Sequence, residues 1–120
     1  SRLFREAPDD ERLTASLWLD RAASQVDGGL VADPASRARL LARLGAIEQD
    51  RGQHGRALPL FERALAGPEG ALDPALRAAT MCRLASAEHY SGRNDAAVAR
   101  FEAAIALAET LSGSARMALY

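Results

Sequence analysis

Two glutamates, Glu48 and Glu88, stand forty residues apart in similar surroundings. A carboxylate pair is common equipment for general acid–base work, but recurrence in register is better explained by a shared structural site, so they are not read as an acid–base pair. The other reactive or metal-ligating candidates are His54, His89 and the single cysteine, Cys82. They are too few for a structural zinc, and one cysteine excludes an internal disulfide. Cys82 is expected in the core or lining a groove, as a small apolar residue rather than a redox switch. His89 beside Tyr90 offers polar contacts or pH sensitivity, against the plainer role of a capping or surface histidine. No phosphate-binding glycine loop, nucleophile elbow or metal-binding helix pair occurs; the glycines fall where helices should end. The expectation is no enzyme, no cofactor and no metal.

The elements that position these residues follow from an internal repeat. Shifted by 40, the stretch from Asp33 to Ala66 falls on that from Asp73 to Ala106, with 14 of 34 positions identical. Such a period is the length of a helical-repeat unit. Asp33-Pro34 and Asp73-Pro74 mark two helix starts, since Asp caps and Pro suits the first position. Leu40, Leu41, Leu44 and Ile47 then follow helical spacing to Gly52, and Thr80, Met81, Leu84 and Ala87 repeat that face to Gly92. A second helix carries Ala57, Leu58, Phe61, Ala64 and Leu65 in one unit and Ala97, Val98, Phe101, Ala104 and Ile105 in the other. Asn94 is read as a good N-cap for the later copy and His54 as a weaker one, with some distortion expected near Pro59.

Composition agrees. Of 120 residues, 48% are apolar but only 5% aromatic, which favours close-packed helices over a sheet. With 15 basic residues, all arginine, against 16 acidic ones, no global field draws the chain to nucleic acid or an anionic membrane. No apolar run reaches the roughly 20 residues that span a bilayer, and no signal peptide is evident. A cytoplasmic protein is expected. The chain begins at Ser1 without methionine and stops at Tyr120 inside what reads as another helix, so it is expected to be an excised piece of a larger protein.

The series Leu44, Gly45, Gly52, Ala57, Phe61, Ala64, reproduced as Leu84, Ala85, Gly92, Ala97, Phe101, Ala104, closely resembles the tetratricopeptide-repeat signature. Two departures stand out: Glu48 and Glu88 replace the family's usual aromatic on the first helix, and its usual proline after the second helix is displaced or absent. The resemblance implies an all-α, right-handed superhelical solenoid of antiparallel helix pairs. Repeats are expected at 33–72 and 73–113, after a degenerate or partial repeat at 1–32 in which Ala15, Leu19 and Ala22 resemble a second helix. A further helix is expected to start at 114–120. The forty-residue period, with longer connections at 67–72 and 111–114, resembles extended repeats of bacterial signalling proteins. The run from Leu19 to Leu65 is similar to arrays that follow the catalytic domain in some bacterial serine/threonine protein kinases, though no kinase motif is present.

In this family the first helices line a concave groove. The corresponding face here holds Arg39, Arg43, Ala46, Gln49 and Asp50, then Ala79, Arg83, Ser86, His89 and Tyr90, at spacings that keep them on one helical stripe. The forked guanidinium groups of Arg43 and Arg83 suit carboxylates of an acidic peptide segment; alternatively they only solvate the helix or pair with neighbouring acids. The family's clamp for a terminal carboxylate is not expected, because Ala42 and Ala46 occupy its places. Trp18 is expected to pack. The resulting expectation is a protein- or peptide-binding module of a regulatory protein. The alternatives are an architectural or self-associating module, pairing as a homodimer through ends that expose Phe4, Leu17 or Leu119, and a small-ligand sensor built on Arg43, Arg83, His89 and Tyr90.

Overall fold

A computed structural model describes the backbone of residues 2–27 and 33–119, with side chains at 14–26 and 33–113. Five helices account for nearly all of it: α1 (Arg2–Asp27), α2 (Pro34–Asp50), α3 (His54–Leu65), α4 (Pro74–Tyr90) and α5 (Asn94–Leu119). The fold is an all-α helical repeat in which α2 with α3, and α4 with α5, form pairs joined by tight turns.

The starts of α2 and α4 follow from their Asp-Pro steps. Asp33 accepts the Ser36 amide at 3.1 Å and Asp73 the Leu76 amide at 2.9 Å, each with a proline opening the helix. Each cap satisfies a donor the helix leaves unpaired. The ends are also alike. Gly52 and Gly92 adopt φ of +78° and +85°, letting the Gln53 and Arg93 amides fold back to the carbonyls of Glu48 and Glu88. The glycine amides bond to Gln49 and His89. This reversal needs a left-handed residue that only glycine adopts cheaply.

The second helices start one residue earlier than Asn94 and His54 as caps would place them. Gln53 caps α3 without a side-chain bond, and the Arg93 carbonyl accepts the first bond of α5 from Ala97. Asn94 is thereby the first helical residue, and its side chain reaches His89 instead.

Packing proceeds unit by unit. Val26 of α1 joins Leu41, Ala42 and Leu44 of α2 and Leu60 and Ala64 of α3 in one cluster. Ala57, Leu58 and Phe61 of α3 meet Leu84 and Ala87 of α4 in the next. Ala38, Ala71 and Leu72 close the connection between units. Phe61 is fully buried, and a Cβ on Gly45 would lie 2.6 Å from its ring; the glycine lets the ring against the α2 backbone.

The second unit does not repeat this burial. Val98 is 57% and Ile105 54% exposed, Phe101 is half-buried, and Ala85 replaces Gly45. Leu58 and Phe61 lie beneath α4, whereas no described helix covers the matching face of α5. Ile47, expected on the packed face, is also exposed. The connection expected at 111–114 is absent too, because α5 runs unbroken to Leu119. That stretch lacks the proline and the Asp-Pro restart that end α3 and begin α4.

Candidate partner-binding face

Successive first helices, α2 and α4, are tied together by side chains of the expected stripe. Gln49 donates from Nε2 to the Arg83 carbonyl at 2.7 Å, while Arg83 Nη1 donates to Gln49 Oε1 at 2.9 Å. The same nitrogen lies 3.3 Å from Asp50 Oδ1. Arg83 is therefore already engaged by the preceding unit, and its contact with the exposed Asp50 adds little to stability.

Arg43 differs. It is exposed, and among the described residues it has no ion pair or hydrogen bond. Arg39, also exposed, donates to Ser36 Oγ at 3.0 Å, and that hydroxyl donates to Asp33 Oδ2 at 2.7 Å. The Ser36 side-chain and amide bonds lower the Asp33 pKa below its ordinary 3.8. Ala46 and Ser86 are half-buried and Ala79 is exposed.

At the far end of α4, Tyr90 is 69% exposed and stacks on His54 with ring centroids 4.3 Å apart. His89 meets Tyr90 edge-on at 5.4 Å, and its Nδ1 lies 3.1 Å from Asn94 Oδ1. The stripe therefore divides into a central group, Gln49, Asp50 and Arg83, and an edge group, His89 and Tyr90, with Arg39 and Arg43 on α2. Sequence reasoning missed His54 as the partner of Tyr90. Its only signal was the forty-residue offset from Asn94, which itself touches His89.

Cys82 is exposed, which rules out the core and leaves the groove lining of the two places expected for it; Ala42, its counterpart, is buried in the cluster that includes α1 and α3. Trp18 is 64% exposed rather than packed, with the Arg21 guanidinium carbon 5.4 Å from its ring centroid. Leu17 is exposed as well; the side chains of Phe4 and Leu119 lie outside the described residues. Among the described residues, no group of three His, Cys, Asp or Glu side chains could hold a metal ion, and no helix is long and apolar enough to cross a membrane.

The two buried glutamates serve as structural anchors. Glu48, 1% exposed, accepts from Arg56 Nε, and Arg56 also bonds to Asp20 and to the Ser16 carbonyl of α1. The bond to Glu48 raises the Arg56 pKa, so the guanidinium stays charged. Glu88, 4% exposed, pairs with Arg100 at 3.0 Å. Each arginine offsets the cost of burying a carboxylate.

No curated protein and no solved structure matches the chain. The family model described as tetratricopeptide repeat matches residues 36–110, more than half of the chain and both helix pairs. Domains of this kind generally bind proteins or peptides rather than catalyse reactions. Two capped helix pairs in a forty-residue register, sealed by a phenylalanine beneath the following helix, agree with that match: the chain belongs to the tetratricopeptide-repeat family.

Proposed function

We propose that the chain is the partner-binding module of a larger bacterial regulatory or signalling protein in the cytoplasm, taking an extended peptide along the face formed by α2 and α4. The observation that carries this reading is Arg43, an exposed guanidinium without a partner among the described residues, on a stripe whose neighbouring arginine is already engaged. An unpaired, planar donor fork favours a carboxylate-bearing segment. Tyr90, broadly exposed yet held by His54, supplies a rigid aromatic surface of the kind that anchors interfaces. Gln49 bonds the two helices together and Asp50 already faces Arg83, so they support the face rather than provide its free charge.

The test is binding of an array of acidic and neutral peptides to the wild type and to Arg43→Glu, with helicity confirmed by circular dichroism. Acidic peptides should bind the wild type and lose about tenfold or more in affinity on the reversal, as befits loss of a charge-assisted bond. Equal binding by both proteins would remove Arg43 from the interface.

A further inference from the structure

Between the two units, α4 covers α3. Leu84 and Ala87 close over Ala57, Leu58 and Phe61, and beside them Arg77, Met81 and Leu84 share a cleft of about 280 Å³ with Glu62 and Leu65 of α3. Opposite charges thus come to one seam around an apolar contact. The forty-residue shift carries Leu58, Phe61, Glu62 and Leu65 onto Val98, Phe101, Glu102 and Ile105. On α5 this half of the seam is open. Val98 and Ile105 are more than half exposed and Phe101 is half-buried. Glu102, also exposed, has no ion pair or hydrogen bond among the described residues. Asp95 and Glu109 extend the acidic edge by one heptad to either side.

Two features decide what fits this face. After α3 the connection through Ala71 and Leu72 packs against Ala38 and returns the chain, so that α4 lies on the helix it follows. α5 makes no such return: it runs on to Leu119, about 20 Å longer than α3, and up to that point the chain folds no helix back across Val98 and Ile105. Two copies of α5 set face to face would oppose acidic edge to acidic edge, which disfavours a symmetric pair. We infer that this face is a docking site for an amphipathic α-helix of another protein that carries a basic edge. The helix presents a basic residue followed four and seven residues later by apolar ones, the spacing of Arg77, Met81 and Leu84. Its apolar residues cover Phe101 as Leu84 covers Phe61, and its basic residue meets Glu102 across the seam. The site is separate from the α2–α4 stripe and takes a basic helix rather than an acidic extended segment, so either can fail without the other.

The probe is a fluorescent peptide with the sequence of α4, Pro74–Tyr90, carrying Cys82→Ser and stapled on its opposite face, because a free helix of this length is only marginally formed in water. Binding is followed by anisotropy on the wild type, Ile105→Asp and Glu102→Arg, whose altered side chains are exposed and should leave helicity native. The wild type should bind the probe, and each variant should lose roughly tenfold or more in affinity. A second probe with Arg77→Glu should bind the wild type weakly and recover on Glu102→Arg. Absence of binding at millimolar probe would overturn the inference, as would failure of the charge exchange to restore it. Undiminished binding by Ile105→Asp would mean that the probe merely displaces α4 from α3, and would overturn it too. So would sedimentation of the unliganded wild type as a dimer that Ile105→Asp dissolves, since a second copy would then occupy the face.

Discussion

Gly45 and Ala85 hold the same position in successive units, yet only one of them has room for a methyl group. In an exposed helix interior, glycine to alanine stabilises by about 0.5–1 kcal/mol. At Gly45 the new Cβ would meet the Phe61 ring at 2.6 Å, and overpacking of this kind costs about 1–3 kcal/mol. Gly45→Ala should therefore lower the melting temperature, with a sign opposite to that of the helix propensity scale. Asp33 gives a pH prediction at the same scale. Its native pKa is depressed by Ser36, so its capping contribution is complete above the unfolded carboxylate value and is lost as pH falls through the lower native one. Melting temperature should drop on acidification through that range, and Asp33→Asn should flatten the drop, as melts at stepped pH would record. Single residues were the least legible scale in the sequence. Cys82 was expected in the core or lining a groove as a small apolar residue, and the core half failed: its counterpart Ala42 is buried by neighbouring elements that the sequence of one unit does not show.

Helix starts and stops were legible because each rests on local chemistry: Asp-Pro at the entrances of α2 and α4, glycine with positive φ at their exits. Contacts between elements were not. Glu48 and Glu88 recur in register, but their arginines do not, since Arg56 aligns with Ala96 and Arg100 with Leu60. The two units solved the same burial problem from different turns of the second helix, so comparing the copies hides both pairs. Arg56 is the stronger case because it joins α1, α2 and α3 at once. Arg56→Met should cost about 3–5 kcal/mol by leaving Glu48 unpaired and should expose α1 to protease before the rest. Adding Glu48→Leu to it should recover most of the loss in denaturant unfolding, because an apolar pair of similar size needs no counter-charge.

Taken whole, the molecule is elongated, 63 × 33 × 28 Å, and its units are close in sequence but unequal in burial. Phe61 lies beneath α4, whereas Phe101 is half-buried on an uncovered helix. Phe61→Ala should therefore cost about 3–5 kcal/mol, and Phe101→Ala clearly less, as paired chemical melts of the two variants would measure. From sequence alone the phenylalanines looked equivalent, because a repeat pattern records what each unit offers and not what lies on top of it. The stripe along α2 and α4 was only half legible for the same reason: Arg43 and Arg83 match in the alignment, but Arg83 is held by the unit before it.

The Arg56 clamp has a mechanical side. Its bond to the Ser16 carbonyl spans 40 residues, one repeat period, and the described packing clusters likewise join neighbouring elements. A chain built this way resists tension as a zipper does rather than as a knot. Pulled from its ends, it should open in steps, and the step that frees α1 should depend on ionic strength because one guanidinium group holds that helix to both of its neighbours.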